Sequence, residues 1–534
     1  MSIISIGVSG LTAAQIALST SSSNTTNAYT AGYTLQVANF SESTSGSGVQ
    51  ISSVDRQYNQ FVTTQLNSSI SAESALSTYQ TEVDQIDSLL ADGDASLDTL
   101  MQSFFSALQT LTSDASDTAA REEVIGAAQT LTSQFTQLGS YLDDMANDVN
   151  SQIDDQVSQV NDLTEQIAGL NKKISLSDAL GSTSNALLDQ RDLLVSQLSE
   201  LVDVDVTTQD NGSYTVSLSN GLALVSGNSS FGLQTAVSAS DPTQTVVTYV
   251  DAAGHTTTLD DSVFEGGSLG GLMDFRDNSL SDAQNQLGIL AVSLTQAFNT
   301  LQASGIDLNG DSGSALFSVD DPSVYGNTGN TGDATLSATF NDDVSALAAT
   351  DYTVSYSDSD GYSVTRNDTG ASVTSAYDSG TLTFAGMSVA ISGTADDGDS
   401  FLVLPTRNAA SSFTTLTSDG SLIAAGTSTG SSDNSNALAM LDLQTSSIVG
   451  GSKTLSQTYS ALVSDVGSTA SKVAGQLETQ TSLTEQLTTL QQSESGVNLD
   501  EEAANLIVYQ QYYQACAKVV EVGTSLLDTI LDIN

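Results

Sequence analysis

The stretch LIVYQQYYQACAKVVEVGTSLLDTI, residues 506–530, decides the fold of this chain. Its apolar or small residues recur at alternating steps of three and four positions, which is the spacing of a coiled-coil seam. The spacing predicts a long amphipathic C-terminal helix that buries one face against another helix. The seam positions are Leu506, Tyr509, Tyr513, Cys516, Val520, Gly523, Leu527 and Ile530.

A shorter seam lies at the opposite end of the chain, where Gln15 interrupts it. Two amphipathic helices at the two ends can pack on each other and bring the termini together. Periodicity alone fits two ordinary core-facing helices equally well, and it is the repetition of the pattern elsewhere that favours a coiled coil. The N-terminal seam positions are Ile4, Val8, Leu11 and Leu18.

The middle of the chain repeats the pattern over a greater length. The seam runs from Val124 to Val149 and from Val160 to Ile174, with four-residue steps between that locally unwind a supercoil without ending the helix. No proline interrupts residues 118–175, so one helix of roughly 85 Å is expected at about 1.5 Å per residue. A helix this long is typical of a rod. Further helices are predicted at residues 56–90, 96–112, 185–202, 275–303 and 436–493.

Two β-rich regions lie between the helices. Val204–Val206 and Tyr214–Leu218 alternate in polarity around the turn Asp210-Asn211-Gly212, which is a strong hairpin signal. The second region runs from Tyr352 to Pro405 and contains turns such as Ser359-Asp360-Gly361. We interpret both as β domains inserted into the helical rod.

These patterns predict an α+β fold, in which a long helical coiled-coil rod is built from both chain ends and carries inserted β-rich domains. Each unit is expected to be formed by chain segments that are distant in sequence. The predicted units are a terminal helical domain (1–40 with 495–534), a helical rod (41–202 with 268–304 and 408–494), a β-rich subdomain (203–267) and an outer β-rich domain (305–407).

The charge balance is strongly acidic, with 63 Asp and Glu against 11 Lys and Arg and a net charge of −52. Nucleic-acid binding depends on basic side chains that displace counterions, so nucleic acid is excluded as the main partner. We expect no membrane insertion, because no run of eighteen consecutive apolar residues occurs. Residues 1–7 lack the basic region of a secretory signal, which leaves the cytoplasm or another export route open.

No catalytic, cofactor-binding or metal site is predicted, and we expect a protein that is not an enzyme. Cys516 is the only cysteine, which excludes an intrachain disulfide and a four-thiolate zinc site. We predict that Cys516 is a small buried residue on the seam. His255 is the only histidine and has no nucleophile pattern beside it, so it reads as an exposed turn residue. The acidic loop that begins at Asp307 lacks the glycine and glutamate of an EF-hand, since Ser312 and Ser318 occupy those positions.

Residues 21–37 resemble the N-terminal signature of the bacterial flagellar axial proteins, which usually reads N-N-I-S-N-A-x-T-P-G-Y-x-R-Q. Residues 495–506 and 509–515 resemble the C-terminal signature. Ala31 stands at the usual proline, which implies a softer bend after the first helix, and Leu35 stands at the usual arginine, which removes a fork-shaped donor. The signature residues that carry over are Asn24, Asn27, Gly32, Tyr33, Gln36, Asn498, Leu499, Asp500, Glu501 and Glu502.

Three central motifs, Ala186–Leu194, Leu269–Asp277 and Gly398–Phe401, resemble the hook-associated members of this family. The resemblance implies a structural protein of the extracellular flagellum, which polymerises through its helical termini at the junction between hook and filament. The implied partners are other copies of the chain in a ring, the hook protein, a second junction protein and a cytoplasmic export chaperone on the C-terminal helix. It also implies passage through the type III export channel without a cleavable signal peptide.

An alternative function from a different class is a secreted surface rod or adhesin with β-rich binding domains. The two chain ends discriminate between these functions. An adhesin has no need for helix-forming seams at both termini together with the two signatures.

Overall fold

The computed structural model describes residues 3–43, 48–90, 96–180, 184–430 and 432–532. Two segments of 3₁₀-helix, Asp261–Val263 and Gly420–Leu422, and a π-helical turn, Phe275–Leu280, lie between the longer elements. The α-helices are α1 (Ile3–Asn27), α2 (Gln60–Leu90), α3 (Leu97–Ser113), α4 (Thr118–Ala179), α5 (Asn185–Leu201), α6 (Gly267–Asp274), α7 (Ser281–Ser304), α8 (Ser435–Asp442), α9 (Leu455–Ser495) and α10 (Leu499–Asp532).

The strands fall into three regions of the chain. The first is a hairpin of β1 (Gln36–Glu42) and β2 (Val49–Arg56). The inner region holds β3 (Asp205–Thr208), β4 (Tyr214–Ser217), β5 (Ala223–Ser226), β6 (Ser229–Ser230), β7 (Leu233–Val237), β8 (Thr245–Val250) and β9 (Thr256–Thr258). The outer region holds β10 (Phe317–Ser318), β11 (Ser323–Gly326), β12 (Thr335–Phe340), β13 (Tyr352–Ser357), β14 (Gly361–Arg366), β15 (Ser372–Val373), β16 (Ser375–Asp378), β17 (Thr381–Phe384), β18 (Met387–Ser392), β19 (Ser400–Leu404) and β20 (Thr414–Thr415).

Helix α4 is the backbone of the rod and has 62 residues, which gives a length of about 90 Å at ~1.5 Å per residue. The Asp117 carboxylate caps its N-terminus by accepting a hydrogen bond from the Ala119 amide at 2.8 Å. One face is buried along the whole helix, as the heptad spacing predicts. Its fully buried apolar residues include Val124, Ala128, Leu131, Phe135, Val149, Ile153, Val160 and Ile167.

Antiparallel sheets fill both inserted β regions. The inner region contains a four-stranded sheet in the order β3-β4-β5-β6 and a three-stranded sheet, β7-β8-β9. The outer region contains a five-stranded sheet, β11-β19-β13-β14-β15, and a four-stranded sheet, β12-β18-β17-β16. The predicted turns are present, with Gly212 and Gly361 in left-handed conformations at φ +75° and +72°.

Helix α1 packs antiparallel against α10, which brings the two ends of the chain together. Gly7 lies against Cys516 and Val520, and Ile4 lies against Gly523. The main apolar core of the described residues runs from Tyr79 to Val473 through the rod and both β regions, and the buried residues of α1 and α10 are not part of it. The terminal helix pair is therefore a separate unit from the rod.

The α+β fold with long terminal helices and inserted sheets is confirmed. The helix predicted at 436–493 is wrong in one respect, because α8 and α9 are separated by a turn in which Gly450 and Gly451 adopt φ of +56° and +65°. The hairpin β1–β2 was not predicted, and it delays the start of α2 to Gln60. The predicted limits of the four units stay a prediction.

Helix α1 is, among the described residues, the one helix that is long and apolar enough to cross a membrane by length and composition. The mean hydropathy of its most apolar window is 1.5, and 33% of that window is buried in the fold. The prediction of no membrane insertion rested on consecutive apolar residues, whereas α1 intersperses Ser, Thr and Gly among its Ile, Leu and Ala. That prediction therefore stays a prediction.

Candidate functional site: the terminal helix pair

Large apolar side chains are exposed along the outside of the terminal helix pair. Between 37% and 69% of each residue's surface remains accessible to solvent. Contiguous exposed apolar surface on a soluble protein marks a site of interaction. These residues are Ile3, Ile6, Val8 and Ile16 on α1, and Leu499, Ile507, Val508, Tyr513, Val519, Val522, Leu526, Leu527 and Leu531 on α10.

Long stretches of the same helices are uncharged, although the chain as a whole carries −52. Residues 1–40 contain no charged side chain, and neither do residues 503–517. Further along α10, Lys518 and Glu521 form an exposed ion pair at 2.7 Å. The terminal pair therefore presents an uncharged apolar surface along α1 and the middle of α10, with charged residues toward the two ends of α10, and copies can approach at the uncharged part with little repulsion.

Small residues of α1 pack against the predicted seam residues Cys516 and Val520 of α10, and the seam residue Gly523 lies against Ile4. The closest approach is at Gly10, where an added Cβ would lie 2.5 Å from the Cys516 sulfur. In the sequence, the contact residues of α1 are Gly, Ala and Ser at helical spacing. A prediction based on large apolar residues does not detect such a pattern. The buried residues of α1 are Gly7, Gly10, Ala13, Ala14, Ala17, Ser21 and Asn24.

The predicted seam residues fall into three groups. Cys516 is buried, as expected of a small residue on the seam. The side chain of Ile530 lies outside the described residues. Val8, Tyr513 and Leu527 are exposed, at 48%, 40% and 45%. The half-buried positions are Ile4, Leu11, Leu18, Leu506, Tyr509 and Val520.

The N-terminal signature folds the chain back after α1. The buried Asn24 side chain donates to the Gln36 carbonyl at 2.9 Å and accepts from the Gln36 amide at 3.1 Å, so it pairs with the first residue of β1 as a strand would. The Tyr33 hydroxyl donates to the same Asn24 oxygen at 2.8 Å. Gly32 takes φ +76°, which favours glycine, and Asn27 donates to the Ser23 carbonyl. Burial raises the pKa of Tyr33, so its hydroxyl stays a donor at neutral pH.

The C-terminal signature begins α10 and joins it to α1. The Asn498 side chain accepts from the amides of Asp500 and Glu501 at 3.0 and 3.4 Å, which caps the helix. Asp500 and Glu501 are exposed in the first turn, where negative charge stabilises the helix dipole, and Leu499 is exposed beside them. Glu502 is buried and accepts a short hydrogen bond from the Ser21 hydroxyl of α1.

The other residues considered in the sequence lie away from this surface. His255 is exposed in a turn, with Nδ1 3.1 Å from a carboxylate oxygen of Asp251. The Asp307 carboxylate accepts from the amides of Asn309 and Asp311, so it closes a loop. Within the described ranges, no three His, Cys, Asp or Glu side chains are grouped so as to hold a metal ion.

Carboxyl groups whose pKa is shifted by folding predict how the stability of the protein depends on pH. Partial burial raises the pKa of Asp143 and Asp203, and it raises the pKa of Asp261 to about 6. A carboxyl whose pKa is raised by folding contributes stability at low pH that is lost as the pH rises through the folded value. Exposed loop carboxylates such as Asp251, Asp333 and Asp419 behave in the opposite way, since hydrogen bonds lower their pKa.

We therefore expect the unfolding temperature of the dilute protein to rise from about pH 8 to about pH 5 and to fall again below about pH 4, where the loop carboxylates are protonated. Calorimetry across this range measures it. A protein most stable at about pH 8 would contradict the assignment of these buried carboxyls.

Family models match the sequence along most of its length. The model described as the helical domain of flagellar hook-associated protein FlgK matches residues 83–317. The D2-like domain of flagellar hook-associated protein 1 matches residues 325–405, and the C-terminal region of the flagellar basal body rod FlgEFG proteins matches residues 491–533. The last match covers the end of α9 and all of α10.

Relatives of full length show the same family. The chain is 41% identical to flagellar hook-associated protein 1 of Salmonella typhimurium and 39% identical to that of Escherichia coli, in each case over 100% of both chains. The solved structure of the flagellar hook junction protein FlgK from Burkholderia pseudomallei is 33% identical and superimposes with a TM-score of 0.75, covering 80% of this chain and 100% of that one. The chain belongs to the flagellar hook-associated protein 1 family, the structural proteins of the hook–filament junction in the bacterial flagellum.

Proposed function

We propose that this chain builds the hook–filament junction by polymerising through α1 and α10 into a ring of subunits, with the hook protein on one side and a second junction protein on the other. One observation carries the proposal: the terminal pair exposes large apolar side chains along helices in which residues 1–40 and 503–517 carry no charge. Burying one such Leu or Ile side chain contributes about 1.5–3 kcal/mol, so the residues of one subunit together supply a substantial driving force. The relatives support this function rather than the adhesin alternative.

The exposed apolar surface of α10 also supports a role for a chaperone before export. A cytoplasmic chaperone that covers the C-terminal helix at residues 506–530 would keep its apolar face from aggregating before export, since exposed apolar patches of this kind associate. We propose that the chain then leaves through the type III channel without a cleavable signal and acts outside the cell. A role that is structural and not enzymatic is consistent with relatives that are structural flagellar proteins.

The direct test adds purified monomers to isolated hook ends and scores junction formation by electron microscopy. We expect a cap of ordered subunits on hooks incubated with the full chain. A matched control is the same chain without residues 503–532, which removes nearly all of the exposed face of α10. Equal binding by the truncated chain would contradict assembly through the terminal helices.

Assembly should also be promoted by salt. Each subunit brings −52 to the ring, and at 0.1 M salt screening limits repulsion between exposed charges to about 10 Å. We expect the yield of capped hooks to rise between low salt and about 0.2 M salt, because the apolar contact is unaffected while the repulsion of the rods falls. Yields that are constant across this range would show that the acidic residues of neighbouring subunits lie too far apart to matter.

A further inference from the structure

The attachment of the terminal helix pair to the rod is largely polar, although Gly32 also lies against the Leu193 side chain of α5. The main apolar core ends at Tyr79 and Val473, and both residues lie within the rod. Two chain crossings connect the units covalently, one after β2 and one between α9 and α10. With these two connections alone, the terminal helix pair could rotate relative to the rod about the line through both connections. A further contact is therefore needed to fix the angle between the terminal helix pair and the rod.

The hairpin β1–β2 belongs to the terminal pair. Asn24 of α1 pairs with both backbone groups of Gln36, and Gly48 lies against Ser9 of α1. The ring of Phe40 lies 6.1 and 6.2 Å from the rings of Tyr509 and Tyr512 on α10. The hairpin therefore moves with the terminal helices as one body.

The hairpin meets the rod at Asp189 on α5. The Asp189 carboxylate accepts hydrogen bonds from the Thr34 hydroxyl at 2.6 Å, from the Thr34 amide at 3.2 Å and from the Arg56 guanidinium at 3.1 Å. Arg56 also forms an ion pair with Asp192 at 2.6 Å, and Asn185 donates to the Val54 carbonyl at 2.8 Å. Charge-assisted hydrogen bonds are stronger than neutral ones and fix geometry more narrowly.

Burial makes this contact stronger than a surface ion pair. The side chains of Arg56, Asp189 and Asp192 are exposed by only 10%, 7% and 15%, so solvent screens the charges weakly. On the rod side, Asp192 accepts from the Tyr214 hydroxyl at 2.8 Å, and the Arg191 guanidinium stacks 3.3 Å from the Tyr214 ring centre. On the rod side, Tyr214 thus fixes the orientation of the Asp192 carboxylate.

We infer that Asp189 and Arg56 are positioning residues, which set the angle between the terminal helix pair and the rod and thereby the orientation in which a subunit can enter the ring. The second part of this inference rests on the proposed function. It also gives a role to the motif Ala186–Leu194, whose charged residues point toward the hairpin and β4 and not toward the exposed apolar surface.

The test measures the angle directly in the monomer. Spin labels at Ser19→Cys on α1 and Thr81→Cys on α2, in a Cys516→Ser background, report the distance between terminal pair and rod by double electron–electron resonance. Both label sites are exposed. We expect Asp189→Asn to widen the distance distribution at least twofold, because the neutral amide keeps the volume but loses the charge-assisted bonds. Asp55→Asn, an exposed change in the same hairpin, is the matched control and should leave the distribution unchanged.

A second variant separates loss of the contact from loss of folding. Arg56→Gln should also widen the distribution, and the double variant should widen it by less than the sum of the two single effects, because the Arg56–Asp189 bond is lost in each of them. The rod should remain folded at the temperature of the distance measurement in each variant, which circular dichroism checks. A distribution unchanged in either single variant overturns the positioning role.

Assembly provides an independent readout. We expect the yield of capped hooks to fall at least tenfold for Asp189→Asn and to be unaffected by Asp55→Asn. A widened distribution with an undiminished yield would overturn the link between angle and assembly. Failure of the parent chain itself to cap hooks would instead refute the proposed function, while the distance measurement would still decide the positioning role.

Discussion

Leu527→Asp should abolish junction formation while leaving the monomer about as stable as before. Leu527 is 45% exposed on α10, so a carboxylate there remains hydrated in the monomer. In a ring the helix is expected to lie in the innermost layer, where burying the leucine contributes about 1.5–3 kcal/mol and an unpaired carboxylate costs several kcal/mol more. Capping of hooks by added protein measures assembly, and calorimetry measures the monomer.

Ser525→Asp is the matched control, because it places the same charge two positions away on the exposed surface of the same helix. It should reduce assembly less than Leu527→Asp. Purified protein must be added directly to hooks, since a chaperone on the same helix would otherwise confound export with assembly. A large fall in the unfolding temperature of Leu527→Asp would place this helix face in a monomeric core, and its assignment to assembly would have to be abandoned.

The sequence predicted the long helices well because their heptad spacing is strong and local. Helix α4 lies where the periodicity of Val124–Ile174 places it, extended by a few residues at its C-terminal end. The hairpin turns at Gly212 and Gly361 could be predicted for the same reason, since a turn dipeptide needs only its immediate neighbours. Local signals of this kind do not depend on the rest of the fold.

The packing of α1 on α10 could not be predicted from the large apolar residues. The seam prediction assumes that the largest side chains are buried. Instead, Gly10 and Cys516 let the two helix backbones approach closely, and Val8 and Leu527 remain exposed. The hairpin β1–β2 was missed because its register depends on long-range contacts with α1 and α5, such as Arg56 with Asp189. A single sequence carries no direct signal for partners more than a hundred residues apart.

Arg407→Leu should destabilise the contact between the two β regions by roughly 3–5 kcal/mol, because it removes the one counter-charge that the described residues supply to two buried carboxylates. Arg407 donates to Asp241 at 2.6 Å and also to Asp351. Asp241 lies between β7 and β8 of the inner region, and Asp351 precedes β13 of the outer region. Their side chains are 5% and 4% exposed, so water cannot replace the lost guanidinium without opening the structure.

Arg366→Leu provides the matched control for this change. Arg366 pairs with Asp368 at 2.6 Å, but the two side chains are 35% and 31% exposed, and an exposed pair contributes about 0–1 kcal/mol. Calorimetry should therefore show a large shift in the transition of the outer region for Arg407→Leu and a small one for Arg366→Leu. Equal shifts in the two variants would mean that the pairing between the β regions adds no more than a surface ion pair.

The pH dependence of the Arg407→Leu defect tests its physical cause. Burial already raises the pKa of Asp351, and Arg407 opposes that rise by stabilising the charged form. Without Arg407 the carboxyl binds its proton more tightly in the folded state than in the unfolded state, so stability is lost as the pH rises through the raised value. The loss of stability in the variant relative to the parent should thus be largest at neutral pH and should become smaller as the pH falls toward about 4. A loss of stability that is the same at both pH values would arise from lost packing of the arginine side chain, and not from unpaired carboxylate charge.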